Sequence, residues 1–229
     1  MIDRDNQRED AGDNFRISEF MSQAVPPTLT AIVLAGGLSS RMGQDKALIS
    51  VHGLPLLLRV CQVAKQTADQ VYVVTAWVKR YRDLCAEANI TLIAEVLQSG
   101  TPQGPICGFL QGLSQVQTDW VLLLACDLPN LRVEVLREWR WLLAETPPEV
   151  VALLPQSVDR WEPLCGFYRT DCRASLQAFT DHGGRSFQTW LNQQSVKALP
   201  VRSPSMLLNC NTPADLEQID FRGEDADLV

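Results

Sequence analysis

The chain has 229 residues, is 46% hydrophobic, and carries 27 acidic against 20 basic side chains for a formal charge of −7. That length and apolar content can fill the core of one large α/β domain or two small ones. The acidic balance excludes a general electrostatic pull toward nucleic acid or an anionic membrane, so an anionic ligand must be met by a local cluster of cations.

Residues 1–28 read as a disordered leader, because MIDRDNQREDAGDNFRISEF is rich in Asp, Asn and Arg and lacks the apolar core of a signal peptide. Met21 offers an alternative start, and Pro26-Pro27 hold the chain extended ahead of the first strand. Residues 29–222 read as a single domain, and 223–229 as a flexible acidic tail. No stretch reaches the ~20 apolar residues of a membrane span. The seven cysteines form no CxxC pair and have no histidine at ligand spacing, which points to buried thiols in a reduced, cytoplasmic protein.

From residue 29 apolar runs alternate with amphipathic stretches. TAIVLA (30–35) reads as a strand and LPLLLRVCQVAKQTA (54–68) as a helix, followed by the strand QVYVVTA, the helix VKRYRDLCAEA and the strand ITLIA. A loop over 95–105 precedes a helix at 106–117, the strand WVLLLAC (120–126) and the helix LRVEVLREWRWLLAE (131–145). Beyond these lie strands at 149–155, 162–169 and 196–201, and helices near 171–180, 185–193 and 213–220. Strands apolar on both faces and separated by helices predict a doubly wound, mostly parallel α/β sheet of Rossmann-like type with helices on both faces. Ligands of such sheets bind beyond the carboxyl ends of the strands. Glu95, Asp127 and the loop after the first strand all fall there.

That loop, GGLSSRMGQDK, fails both common phosphate signatures. It lacks GxGxxG, and Ala47 follows Lys46 where a P-loop needs Ser or Thr. Its chemistry still favours phosphate. Gly36 and Gly37 give close access to backbone amides, Ser39 and Ser40 add hydroxyls, and Arg41 and Lys46 supply two cations. In LLLACDLPNL the strand ends at Asp127 and Pro129 turns the chain. A carboxylate facing the same cleft is placed to hold Mg²⁺ against phosphate oxygens. Asn130, rather than Asp127, sits at the right place to cap a helix starting near Leu131.

LAGGLSSRMGQDKALI followed by LLLACDLPNL resembles the molybdenum cofactor guanylyltransferase (MobA) family of the nucleotidyltransferase superfamily, with EPLCGFY and LLNCNTPADL matching later segments in order. The resemblance implies nucleotide contacts at the Leu34, Ala35 and Gly36 backbone, a phosphate-binding Lys46, and a magnesium ligand at Asp127. An acidic nucleotide contact falls on Glu95; the Asn found elsewhere after the second strand is replaced by Thr75. Ending the strand in LAGG, with Asp45 before Lys46, resembles the branch that uses GTP, whose guanine offers paired N1 and N2 donors to an acceptor such as Glu95.

The function so implied is transfer of GMP from GTP to molybdopterin, with Mg²⁺, release of pyrophosphate, and exchange with proteins that insert molybdenum or deliver the cofactor. Asn209, Asn211 and Arg185 fall in the later segments, on the expected acceptor side, and His182 reads as a surface residue. Rival readings are a cytidylyl or sugar-1-phosphate nucleotidyltransferase and a non-catalytic nucleotide-binding carrier.

Overall fold

A computed structural model of the chain describes residues 26–36, 45–51, 53–97, 100–158, 160–210 and residue 215. Most of the leader expected over 1–28, the tail, and the helix expected near 213–220 with its Thr212 cap lie outside the described residues. Thr28 is tied to the domain, its amide and hydroxyl both donating to the Asp119 carboxylate, at 3.3 and 2.8 Å.

The first strand, β1 (Leu29–Leu34), is apolar along its whole length apart from Thr30 and has neighbours on both sides. A tight hairpin follows, β2 (Ser50–Val51) and β3 (Leu54–Pro55), closed at Gly53 with φ 81°, a left-handed value that glycine adopts without cost. Its ladder takes Leu54 and Pro55, so α1 runs over Leu56–Lys65 rather than from residue 54. Next come β4 (Gln70–Thr75), α2 (Val78–Glu87), β5 (Thr91–Ala94), α3 (Pro105–Leu113) and β6 (Trp120–Ala125).

The helix expected over 131–145 divides into α4 (Val133–Trp141) and a 3-10 turn, Leu142–Glu145. Thr146 ends it: its hydroxyl bonds Leu142 O at 2.7 Å, and its backbone is extended, as a residue before Pro147 prefers. Asn130 does not cap α4, which starts two residues later than expected with no side-chain cap; its amide instead donates to Ser205 O. The remaining elements are β7 (Ala152–Ser157), β8 (Arg160–Trp161), β9 (Cys165–Arg169), α5 (Arg173–Asp181), α6 (Phe187–Leu191) and β10 (Val196–Leu199).

The main sheet has the order β10-β7-β9-β6-β1-β4-β5, with β8 paired to β7. Along this path only β9 runs against its neighbours. Alternate residues of each strand feed two cores. Ala31, Val33, Leu122 and Leu124 pack against Leu57, Val60, Tyr81 and Trp139 on one face. Ile32, Val121, Leu123 and Tyr168 pack against Ile106, Phe109, Leu176 and Trp190 on the other. Each fully buried Leu, Ile or Val side chain contributes about 1.5–3 kcal/mol, so the double coverage fixes register firmly.

All seven cysteines carry free thiols. No helix among the described residues is long and apolar enough to cross a membrane.

Gly166, between β6 and β7, shows how closely the sheet is filled. A Cβ there would lie 2.7 Å from Leu153 O and 2.5 Å from Leu154 Cδ2. Backbone cannot swing aside as a side chain can, so Gly166→Ala should cost about 1–3 kcal/mol. A urea midpoint lowered accordingly, with an unchanged slope, is the expected result.

Candidate active site

Three parallel strands deliver the site. β1 pairs in register with β4 and β6, Leu34 lying opposite Val74 on one side and Ala125 on the other, so their carboxyl ends stop at one level. The pairing runs one residue further: Ala35 N–H donates to Val74 O at 2.9 Å and Cys126 N–H to Leu34 O at 3.2 Å. β4 and β5 lie to one side of β1 and β6 to the other, which makes this the switch point where a crevice opens. A cleft of about 380 Å³ occupies it.

Leu34, Ala35, Gly36, Lys46, Glu95 and Asp127, separated by as many as 93 positions in the chain, all line this cleft. Lys46 Nζ lies 3.7 Å from Asp127 Oδ2, with side chains only 17% and 19% exposed. Burial pushes the Asp127 carboxyl above its ordinary value of 3.8, and the Lys46 charge opposes that shift. Arg41 and Gly37 lie outside the described residues.

Glu95 leaves β5 directly into the cleft. Its amide donates to Thr75 O at 2.8 Å, and burial raises its carboxyl pKa while a hydrogen bond from the Gln103 amide opposes the rise. The Gln111 side chain clamps the next residue, accepting from Val96 N–H at 2.7 Å and donating to Val96 O at 3.2 Å. Glu95 Oε2 sits across from Gly36, where a Cβ would come within 2.9 Å of it. Glycine here leaves room for the Glu95 carboxylate, which a Cβ would push aside.

Thr75 is fully buried, and its hydroxyl donates to Ala35 O at 2.7 Å and accepts from Trp77 N–H at 3.0 Å. It ties the ends of β1 and β4 together and does not line the cleft. Cys126 does line it, but burial and then the Asp127 and Asp45 charges push its thiol far above the ordinary value, so it packs as a small neutral side chain.

Two residues whose contacts the sequence does not indicate stand beside Lys46. Asp45 accepts from Ala47 N–H at 3.2 Å, capping the 3-10 turn Lys46–Leu48, and also pairs with Arg80 Nη1 at 3.2 Å. The Tyr81 hydroxyl lies 2.8 Å from both Asp45 carboxylate oxygens. In the sequence Asp45 stands out only as a mark of resemblance to the GTP-using branch, and 36 residues separate it from Tyr81.

On the expected acceptor side, Asn209 is exposed and Asn211 lies outside the described residues. Arg185 Nη1 is held by Thr180 O at 2.9 Å and Gly184 O at 2.7 Å. His182 is exposed, with Nδ1 2.7 Å from Ala178 O.

Residues 31–197 match the family model of the MobA-like NTP transferase domain. The chain belongs to that family. Among MobA-like relatives, a probable molybdenum cofactor guanylyltransferase of Nostoc sp. is 54% identical over 200 residues, covering 87% of this chain and 93% of its own. A protein of the same description from Synechococcus elongatus is 39% identical over 83% of this chain and 97% of its own.

The fold is shared with molybdopterin-guanine dinucleotide biosynthesis protein A of Archaeoglobus fulgidus, with a TM-score of 0.68 and 23% identity over 83% of this chain and 96% of that one. It is shared also with 4-diphosphocytidyl-2C-methyl-D-erythritol synthase of Anaerococcus prevotii, with a TM-score of 0.64 and 13% identity over 84% and 94%. The expected Rossmann-like α/β architecture and MobA-like membership are thus both found, and the protein is a nucleotidyltransferase.

The raised pKa of Asp127 has a stability consequence. The folded protein holds this proton more tightly than the unfolded chain, so ionisation costs stability as pH rises from 3.8 through the raised folded value. Above that window the cost is complete; below it the cost vanishes. Ligand-free Asp127→Asn should therefore melt higher than the parent at pH 7, with the difference shrinking as pH falls through the raised folded value and gone below about 3.8, as read by calorimetry across pH.

Proposed function

We propose that this nucleotidyltransferase transfers the GMP moiety of GTP to molybdopterin in the cytoplasm, forming the guanine dinucleotide cofactor and releasing pyrophosphate. The observation that carries the reading is the Lys46–Asp127 pair, 3.7 Å apart in a cleft at the switch point of a parallel sheet. The names of relatives 54% and 39% identical support the choice of substrates.

An oxygen of the terminal phosphate of molybdopterin attacks the α-phosphorus of GTP. A new P–O bond forms as the bond to the β-phosphate bridge breaks, and that electron pair leaves with pyrophosphate. The nucleophile is already an oxyanion, so the reaction needs in-line positioning and neutralisation of charge rather than a base or a covalent intermediate. Lys46 presents its ammonium to the phosphates, and Arg41 is the second cation proposed for them. The Leu34–Gly36 backbone and the Glu95 carboxyl meet the nucleoside. Glu95 accepts from guanine N1 and N2 when ionised.

Asp127 is the proposed Mg²⁺ ligand. No group of three or more His, Cys, Asp or Glu that could hold a metal exists among the described residues. One desolvated carboxylate at the mouth of a cleft nevertheless fits a cation that keeps its waters and takes its remaining ligands from phosphates. When bound, Mg²⁺ supplies Lewis-acid neutralisation at the phosphate oxygens.

Incubation of the protein with molybdopterin, Mg²⁺ and each of the four triphosphates should release pyrophosphate with GTP alone, the product being identified by mass. Product with CTP would make the enzyme a cytidylyltransferase. Nucleotide binding without pyrophosphate release would make it a carrier. Lys46→Ala should weaken GTP binding and lower kcat/KM by about a hundredfold or more, whereas Asp127→Ala should reduce turnover more than binding.

A further inference from the structure

Lys46 is the proposed contact with the transferring phosphates, yet an ammonium on a four-carbon stem is flexible and gains little catalytically unless its attachment is fixed. The 3-10 turn that carries it is three residues long, too short to define its own orientation. Its attachment comes through Asp45. Asp45 O accepts from Leu48 N–H at 3.1 Å and its carboxylate from Ala47 N–H, so Asp45 closes the start of the turn, as Ile49 N–H to Lys46 O at 3.1 Å closes its end.

The same carboxylate is gripped from α2 by Tyr81 and Arg80, successive residues of that helix. Tyr81 is 1% exposed and packed in the core against the sheet, which makes it the rigid member. Arg80 is half-exposed, its guanidinium stacked 4.7 Å over the Trp77 ring. Tyr81 and Asp45 both reach the cleft wall. A buried phenol held equidistant from two carboxylate oxygens serves as a fixed donor, since burial, then the hydrogen bond to Asp45 and the Asp45 charge, push its pKa far above the ordinary 10.0.

We propose that Tyr81 is a positioning residue for phosphoryl chemistry: its hydroxyl, donated to Asp45, anchors the Lys46 turn to α2 and so sets where the Lys46 ammonium meets the triphosphate. The proposal rests on Lys46 acting in nucleotidyl transfer. It gives Asp45 the role of a brace, its oxygens committed to Ala47 N–H, Tyr81 and Arg80, instead of a reader of the base.

The test is a double-mutant cycle between Tyr81 and Lys46, using the full chain with GTP, Mg²⁺ and molybdopterin and reading pyrophosphate release, with melting temperature recorded for every variant. Tyr81→Phe keeps the ring in the core and removes only the hydroxyl. It should lower kcat/KM about tenfold, and in a Lys46→Ala background the same change should alter kcat/KM less than about twofold, because nothing remains to position. Asp45→Asn, which can still accept from Ala47 N–H, should behave as Tyr81→Phe does and supplies the cycle if the tyrosine variant is too unstable to assay.

Equal losses in the parent and Lys46→Ala backgrounds would reduce Tyr81 to a structural residue and overturn the proposal, as would parent-like kcat/KM for both Tyr81→Phe and Asp45→Asn. Failure of the parent protein itself to release pyrophosphate would overturn instead the reading of the site on which the proposal depends.

Discussion

The in-register parallel pairing of β1 with β4 and β6 constrains everything else in the molecule. Buried on both faces for most of their length, these strands carry few polar side chains, and the fully buried ones are bonded internally: Thr118 Oγ1 pairs with Thr30 Oγ1 at 2.9 Å, and Thr75 holds Ala35 O. Polar chemistry is thereby displaced to where the strands stop. Because Leu34, Val74 and Ala125 stop together, Gly36, Glu95 and Cys126-Asp127 emerge around one crevice. The site is a consequence of register, and a one-residue slip would turn its side chains to the wrong face.

Within the crevice the charges are kept apart by local packing. Asp127 and Lys46 attract each other at 3.7 Å, longer than the roughly 2.7–2.9 Å typical of a charge-assisted hydrogen bond. They compensate each other's loss of water without being welded together. Glu95 stands elsewhere, between Gly36 and Gly108, and has the Gln103 amide rather than a cation to support its ionised form. Both carboxyls are raised by burial, so the site holds groups whose charge is costly until a ligand arrives. A cation at Asp127, or hydrogen-bond donors at Glu95, would offset that cost on binding, which converts instability of the free protein into affinity.

Much of this was legible in the sequence because the signals were local. The apolar runs of β1 and β6 and the 3.6-residue periodicity of α1 and α2 identify the sheet and its covering helices, and the break from apolar to polar at Gly36 and at Asp127 marks the strand ends. The β2–β3 hairpin was not legible, since two-residue strands carry no periodicity and Leu54-Pro55 extend the apolar run of α1 backwards. The early end of α4 depends on Thr146 meeting Leu142 O just before Pro147, a hydrogen bond that composition does not display. In the site, Thr75 looked like a substituted ligand position and is a buried tie between strands. The Tyr81–Asp45 contact joins residues whose separate patterns, a helix face and a loop, give no hint of each other.

The two central charges are held in physically different ways. Asp127 follows directly from a sheet strand, and its carbonyl accepts from Cys210 N–H at 2.9 Å, so the backbone beneath it is fixed from two sides. Lys46 does not follow a strand of the main sheet; its turn rests on side-chain bonds from Asp45 to α2, on Ala47, buried among the residues of α1, and on one backbone bond, Leu56 N–H to Ile49 O at 2.9 Å. Backbone ladders are cooperative and bury their polar groups completely, whereas a brace of three side chains is partly exposed and depends on each member. The lysine side of the cleft is therefore the adjustable one. Under the role proposed for Lys46, a change in how it is braced would alter turnover while leaving the sheet, and the carboxylate carried at its edge, intact.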